Sequence, residues 1–174
     1  MKETLQDLKE RRACRAYTAE QVREEDLAAI LEAGTYAATA RGSQEPLIVA
    51  VQDPETYRKI EKLNALAMGM EDGHPFYGAP MVLVVFANGK MPFAQADGNL
   101  VLGNLMNAAQ AVGVDSCYIW RAYESFETEE GKALKAAWGV PEDYVGIGNL
   151  ILGYGKPEGK KPTADRKEGY VIRV

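Results

Sequence analysis

Short apolar runs of strand length alternate along this chain with segments of helical periodicity, and this alternation restricts the fold most strongly. The apolar runs are PLIVAV at residues 46–51, MVLVVF at 81–86, a short run at 116–120 and VGIGNLILGY at 145–154. Helical spacing is found over residues 3–12, 54–68, 94–112 and 126–138. The run MVLVVF is apolar throughout, as expected of a strand buried on both faces. Helices that alternate with four or five strands predict an α/β or α+β sandwich.

Local signals predict further boundaries. Thr18, with Gln21 three residues later, predicts a capping box for a second helix, and Gly34 suits the end of that helix. The last residues, Tyr170 to Val174, have the composition of a short strand.

Length and composition indicate a globular protein without a nucleic-acid or membrane partner. The 174 residues fit one domain, 1–174, and 47% hydrophobic with 26% charged residues is ordinary for a globular chain. A net charge of −5 argues against a nucleic-acid surface. The charged N-terminus lacks the apolar core of a signal peptide, and no apolar run approaches a membrane span. With only two cysteines, we expect a reducing cytoplasm.

A cluster of three arginines stands near the start of this acidic chain, in the sequence Arg11-Arg12-Ala13-Cys14-Arg15. No acidic residue from position 11 to 19 neutralises it. Guanidinium groups bind phosphate bidentately and stay charged, so one interpretation is a site for a phosphate-bearing cofactor. The other interpretation is a solvated helix end, where cations favour the helix dipole.

The helix expected over residues 94–112 carries many small residues, among them Gly98, Gly103 and Ala108. Small side chains allow close packing, which predicts a central core helix. Asn99 and Asn104 lie among its apolar positions. Such polar groups also fit a subunit interface, and the two interpretations are compatible.

Most familiar catalytic and nucleotide-binding motifs are missing. The only histidine, His74, precedes a proline in a loop, so a two-histidine metal site is excluded and we expect no metal. Cys14 and Cys117 form no CxxC pair. Neither GxGxxG after the first strand nor GxxxxGK[ST] occurs. A cofactor that carries its own chemistry therefore becomes the more attractive hypothesis.

The chain resembles the FMN-dependent nitroreductase family, and most of all its short single-domain members. The resemblance spans nearly the whole sequence in order. It rests on six segments: RRACRAYTAEQV, the loop ATARGSQEP, Gly78-Ala79-Pro80 before MVLVVF, the stretch DGNLVLGNLMNAAQAVGVDSCYIW, the strand IGNLILGYGKP after Pro141, and the basic pair Arg166-Lys167.

This resemblance implies an α+β fold, with a mixed sheet flanked by helices, and an intertwined homodimer with one FMN in each of two interface sites. It implies ping-pong chemistry, in which NADH or NADPH reduces FMN and a nitroaromatic compound, quinone or similar acceptor then takes the electrons. FMN carries the chemistry, so no catalytic side chain is expected.

The resemblance also assigns roles to basic residues. Arg11 would bind the FMN phosphate, and Arg12 would reach the ribityl–phosphate region. Arg15 would lie by the N1/C2=O edge and tune the flavin. Arg166, with Lys167, would close the phosphate site.

The remaining expected contacts come from a loop and from the strand after the long helix. Thr39, Ala40 and Arg41 would reach the flavin from the partner subunit. Backbone N–H groups of Trp120 and Arg121 would face N5 and O4. The further expected contacts are Ala13, Gly42, Asn64, Tyr118 and Ile119.

The chain departs from the family pattern at two places in the site. Ala13 stands where serine is common, so one phosphate hydroxyl contact is lost. Gly42 offers only its backbone. Trp120 and Arg121, where larger relatives often have an acidic residue and glycine, would narrow the pocket, so substrate preference does not carry over.

Two further hypotheses remain open at this point. A flavin-binding sensor or storage protein could use the same fold without efficient turnover. A plain dimeric scaffold could carry the same arginines as solvated charges. Flavin colour and its bleaching by NAD(P)H separate the three hypotheses.

Overall fold

A four-stranded sheet forms the centre of the protein, whose computed structural model describes residues 2–174. The strands are β1 (Leu47–Val51), β2 (Met81–Asn88), β3 (Asp115–Ile119) and β4 (Tyr144–Gly153). Their spatial order is β1-β2-β4-β3, and each neighbouring pair is antiparallel. The two inner strands, β2 and β4, are almost entirely buried, as the continuous apolar run in β2 predicts.

Six α-helices flank this sheet. They are α1 (Glu3–Glu10), α2 (Glu24–Thr35), α3 (Pro54–Ala67), α4 (Ala94–Ala111), α5 (Ala122–Glu127) and α6 (Glu129–Ala137), with short 3-10 turns at Ala40–Gly42 and Pro157–Gly159. The sheet separates two apolar cores. Leu83 and Leu150 face α2 and α4, whereas Val84 and Ile151 face α3 and α5. The α+β class is therefore confirmed.

Parallel pairing is limited to one position in the described part of the chain. Ala13 forms an isolated parallel bridge with Ser116 on the free edge of β3. The segment that carries the arginine cluster is thus bridged to the edge strand β3, whereas the sheet itself is antiparallel at all three strand pairs.

Close packing of α4 explains its small residues. A side chain at Gly98 would place its Cβ 2.6 Å from Ile147 of β4, so glycine is needed there. Gly103 meets no atom of the chain within 4 Å of that position, and Leu100 nearby is 50% exposed. The inner face of α4 packs as a core helix, while its outer face is uncovered in the single chain.

Three local predictions were wrong. The helix expected over residues 126–138 is two helices, because Thr128 turns to an extended conformation and caps α6 by accepting a hydrogen bond from Gly131 N–H. Thr18 does not cap α2, because that helix begins at Glu24 with Arg23 at its N-cap, and the Thr18 hydroxyl accepts from Glu20 N–H instead.

The third wrong prediction concerns the C-terminal tail. Residues 170–174 form no strand, because no sheet edge lies beside them to pair with. Their apolar side chains are exposed instead, with Ile172 at 83%.

Candidate functional site

The backbone of the arginine segment, residues 11–15, is fixed between β3 and the loop after β4. Cys14 N–H donates to the Ser116 carbonyl at 3.0 Å, and Arg15 N–H donates to the Gly159 carbonyl at 2.8 Å. The Cys14 side chain is fully buried and packs against Gly159. Because the backbone is held from both sides, the neighbouring arginine side chains start from fixed positions.

Arg11 and Arg15 carry positive charge that no acidic side chain within residues 2–174 neutralises in an ion pair. Both act on the buried thiol of Cys117. Burial raises the pKa of Cys117, and the nearby charges of Arg15 and Arg11 oppose that rise. The two guanidinium groups therefore lie within electrostatic range of the same residue of β3. Their uncompensated charge is suited to binding an anion.

Arg12 differs from the other two arginines because its side chain is already engaged. Its Nη1 donates to the carbonyls of Lys9 at 2.7 Å and Arg11 at 2.6 Å, and its Nη2 donates to the Thr163 hydroxyl. Arg12 thus clamps the end of α1 to the C-terminal segment. A direct contact with the ribityl chain stays a prediction, and it would require these bonds to open.

The basic pair Arg166-Lys167 lies just beyond the segment that Arg12 holds. Arg166 is exposed and donates to the Ala164 carbonyl at 2.6 Å, while the Lys167 ammonium lies 5.5 Å from the centre of the Tyr170 ring. No hydrogen bond joins the pair to Arg11 in the described part of the chain. Their role in closing a phosphate site stays a prediction.

The turn from β3 into α5 presents both backbone and side chains to the surface. Trp120 is 55% exposed, and Arg121 pairs with Glu124 at 2.6 Å. Arg121 has φ 79°, the left-handed region that favours glycine. This fits the glycine that larger relatives of the resembled family have there. Strained backbone of this kind is frequent at functional sites.

The two residues before this turn use their side chains for packing. The Tyr118 hydroxyl donates to the Ile147 carbonyl at 3.1 Å, and its ring lies against Gly148. Ile119 is buried and is paired with Asn149 across the sheet. Contacts of Tyr118 and Ile119 with a cofactor stay predictions, and in this geometry they would come mainly from the backbone.

Asn64 lies in the interior and not on the open surface of the site. It is 0% exposed on α3, and its Nδ2 donates to the Trp120 carbonyl at 2.7 Å. Its Oδ1 is buried without a partner among the described residues. A direct contact of Asn64 with a flavin stays a prediction, and the unpartnered Oδ1 is the atom of this side chain that remains free to make it.

The loop that carries Thr39, Ala40, Arg41 and Gly42 is anchored to the start of α4. Ala40 N–H donates to both carboxylate oxygens of Asp97, at 3.1 and 3.0 Å. Thr39 accepts a hydrogen bond from the backbone of residue 44 through its hydroxyl. Arg41 and Gly42 both have left-handed backbone, with φ 58° and 64°. The buried Asp97 was not singled out from the sequence, where it looks like an ordinary acidic residue in the first turn of a helix.

This loop is separate from the arginine segment within one chain. No hydrogen bond or ion pair connects the two among residues 2–174. The loop instead borders an open groove of about 470 Å³ together with Leu31, Ile48 and Val101. Within one chain, the two expected parts of the site are therefore not joined by a polar contact among the described residues.

Other catalytic machinery is lacking in the described part of the chain. No group of three or more His, Cys, Asp or Glu side chains is arranged to hold a metal ion among these residues. The His74 side chain is 82% exposed, with Nδ1 3.6 Å from Glu61. Burial raises the pKa values of both Cys14 and Cys117, which keeps them as thiols.

None of the helices in residues 2–174 combines the length and apolar character that a membrane crossing requires.

Comparison with known proteins agrees with this geometry. Residues 8–75 match the model of the nitroreductase family, a range that includes the arginine segment, the loop at 39–42 and Asn64. An Archaeoglobus fulgidus protein named as an NADH dehydrogenase/NAD(P)H nitroreductase is 29% identical over 163 residues, which cover 91% of this chain and 88% of that protein.

Solved structures extend the match to the complete chain. A Bacteroides fragilis nitroreductase with bound FMN superposes with a TM-score of 0.89 at 28% identity, covering 100% of both chains. A Desulfitobacterium hafniense nitroreductase with bound FMN gives a TM-score of 0.89 at 26% identity, covering 100% of this chain and 99% of that one. The family model, the sequence relative and these structures together show that the chain is similar to proteins of the nitroreductase family over its whole length.

Proposed function

We propose that this protein is an FMN-dependent oxidoreductase of the nitroreductase family and that it passes electrons from NADH or NADPH to a small acceptor in a ping-pong cycle. The expected acceptors are nitroaromatic compounds, quinones and similar molecules. The observation that carries the proposal is the fixed arginine segment, in which Arg11 and Arg15 have no counter-ion within the described residues.

The residues present fit FMN at its phosphate end. The phosphate is a dianion, and a guanidinium group fixed by its backbone binds such a group through charge-assisted hydrogen bonds. Arg11 would hold the phosphate, and Arg166 with Lys167 would close the site from the C-terminal segment. Ala13 supplies backbone only, so the arginines carry more of the binding than they would beside a serine.

The residues also fit the isoalloxazine end. When bound, FMN supplies the two-electron chemistry, accepting hydride from the nicotinamide and giving electrons to the acceptor. Arg15 would face the N1/C2=O edge, where negative charge accumulates on reduction. The backbone of Trp120 and Arg121 would face the N5/O4 edge, and the exposed Trp120 ring would border the acceptor pocket.

A homodimer completes this proposed site. Among the described residues, no hydrogen bond or ion pair joins the loop at 39–42 to the arginine segment of the same chain. We therefore assign its residues to the flavin bound by a second copy of the chain, namely Thr39, Ala40, Arg41 and Gly42. The uncovered outer face of α4 and the exposed apolar tail at 170–174 support the same assembly, since each leaves apolar surface in water.

The proposed compartment is a reducing cytoplasm. Cys14 and Cys117 are both free and buried. Free thiols are the normal state of cysteine in that compartment.

The alternative is a flavin-binding sensor or storage protein on the same fold. The exposed arginine and tryptophan at the turn favour turnover over storage, because they leave the site open to a second substrate. Initial rates at varied NADH and quinone concentrations test the proposal. Parallel double-reciprocal lines with rapid turnover are expected, whereas a reduced flavin that quinone does not reoxidise would establish the alternative.

A further inference from the structure

The carbonyl of Trp120 is held from the interior by a single buried amide. Asn64 Nδ2 on α3 donates to this carbonyl at 2.7 Å, and Asn64 is 0% exposed. The Trp120 side chain projects outward and is 55% exposed. The backbone at this point therefore lies between the core and the surface, and its inner side is tied to α3.

The hydrogen bond from Asn64 to the Trp120 carbonyl also fixes the direction of the Arg121 N–H, which belongs to the same peptide group. The described chain contains no cis peptide bond, so the Trp120 C=O and the Arg121 N–H are trans and point in opposite directions. With the carbonyl directed at Asn64, the Arg121 N–H is directed away from α3. Within residues 2–174 this N–H donates to no acceptor.

The peptide is also under conformational strain. Arg121 has φ 79°, a left-handed backbone that is unfavourable for any residue other than glycine. Its ion pair with Glu124 joins two partly exposed side chains, and surface pairs of this kind stabilise a conformation only weakly. Rotation of the peptide would relieve the strain but would break the bond to Asn64. A buried hydrogen bond of this kind is costly to leave unmade.

We infer that Asn64 is a positioning residue that presets the Trp120–Arg121 peptide, so that the Arg121 N–H is presented to the N5/O4 edge of the flavin. This inference rests on the proposed function. It adds an indirect role to the expected direct contact of Asn64 with the cofactor, because the buried amide acts together with the strained Arg121 backbone.

The first test requires no flavin. In the apoprotein, Asn64→Ala should shift the backbone amide resonance of Arg121, because the peptide loses its anchor. The matched control is Tyr57→Phe, which removes a buried unpaired hydroxyl from the same helix without touching the turn. Tyr57→Phe should leave the Arg121 resonance in place. The amide measurement can be made even if the wild-type protein binds no FMN. Failure to bind FMN would refute the proposed function, but it would not change the effect of Asn64→Ala on the Arg121 resonance.

The second test uses the FMN-loaded protein. We expect Asn64→Ala to weaken binding of oxidised FMN about tenfold, which corresponds to about 1.4 kcal/mol. Oxidised N5 accepts a hydrogen bond, whereas reduced N5 carries a hydrogen, so binding of the reduced form should weaken less. The two-electron midpoint potential should therefore rise by up to about 30 mV, the value reached if binding of the reduced form does not change. Tyr57→Phe should change neither quantity.

A third variant keeps the inference testable if Asn64→Ala lowers stability. Glycine adopts the left-handed backbone of residue 121 without strain. Arg121→Gly should therefore recover about fivefold of the lost FMN affinity in the Asn64→Ala background, the equivalent of about 1 kcal/mol. In the wild-type background, Arg121→Gly should change FMN affinity by a different factor, because the effects of residues 64 and 121 on FMN binding are coupled.

Two outcomes would overturn the inference. In the first, Asn64→Ala weakens FMN but moves neither the midpoint potential nor the Arg121 amide resonance, so that Asn64 only packs. In the second, Arg121→Gly changes FMN affinity by the same factor in both backgrounds, so that the anchor and the strained residue are independent.

Discussion

The three neighbouring arginines of this chain have two kinds of environment. The Arg12 guanidinium donates hydrogen bonds to two backbone carbonyls and to the Thr163 hydroxyl. Arg11 and Arg15, in contrast, have no counter-ion within the described residues. The sequence indicates the cluster, because it places three arginines within five residues and no acidic residue from position 11 to 19. It could not predict the clamp, since Thr163 lies 151 residues away. The sequence could not predict the burial of Asn64 either, because its hydrogen-bond partner Trp120 lies 56 residues later, in the turn between β3 and α5.

At this scale the phosphate assignment of Arg11 gives the first prediction. Arg11→Ala should weaken FMN about 10- to 150-fold, because one charge-assisted hydrogen bond contributes about 1.5–3 kcal/mol. Riboflavin lacks the phosphate, so its affinity should change little. Fluorescence titration of the apoprotein with both ligands measures this, with Arg58→Ala on α3 as a control for loss of a surface charge. Equal losses for the two flavins would remove Arg11 from the phosphate site.

The second prediction concerns Arg15 and the reduction potential. A unit charge about 4 Å from the N1/C2=O edge interacts by at most about 4 kcal/mol at an effective dielectric near 20. That charge stabilises reduced anionic flavin more than oxidised flavin, so Arg15→Met should lower the midpoint potential by tens of millivolts, at about 30 mV per 1.4 kcal/mol. Spectroelectrochemistry of the FMN-saturated variant measures the shift. A change below about 10 mV would contradict the tuning role.

At the scale of secondary structure, apolar runs were reliable and capping signals were not. The four apolar runs all became strands, because their burial in the sheet is the dominant free-energy term. The helix expected over 126–138 is broken at Thr128, whose hydroxyl accepts from Gly131 N–H at 3.0 Å and donates to the Ser125 carbonyl at 2.8 Å. Gly131 also lies so close to Ser125 that a Cβ would be 2.2 Å from its carbonyl oxygen. Helical periodicity alone does not reveal such a local contact.

The break at Thr128 gives a stability prediction. Thr128→Ala should lower the free energy of unfolding by about 0.5–2 kcal/mol, because the N-cap of α6 loses its side-chain acceptor. Thr128→Ser keeps the hydroxyl and should lose less. Urea denaturation of the apoproteins compares them. If Thr128→Ser and Thr128→Ala were equally destabilised, the hydroxyl would not be the cause.

At the scale of the whole molecule, one chain leaves its expected site unfinished. Among residues 2–174, no hydrogen bond or ion pair joins the loop at 39–42 to the arginine segment, and the apolar residues of the tail at 170–174 are exposed. A strand was predicted for the tail because its composition suits one. Within one chain the tail is paired with no strand. Sequence composition does not indicate whether a pairing strand belongs to the same chain or to a second copy. The expectation of one domain, 1–174, also stays a prediction.

The corresponding prediction is a stable homodimer. Light scattering should give twice the 19.0 kDa chain mass, and such interfaces usually bury more than about 2,000 Å². Deletion of residues 170–174 should raise the dimer dissociation constant and reduce FMN content together, because the partner's loop contributes to each site. A monomer that retains FMN would contradict this assembly.

The most direct measurement is the visible absorption spectrum of the purified protein under anaerobic conditions, recorded before NADH, after NADH and after a quinone. The account predicts the bands of oxidised flavin, with one FMN per chain, their loss on addition of NADH or NADPH and their return with quinone. A colourless protein that takes up no added FMN, or flavin bands that neither nicotinamide bleaches, would contradict the assignment of this chain as an FMN-dependent oxidoreductase.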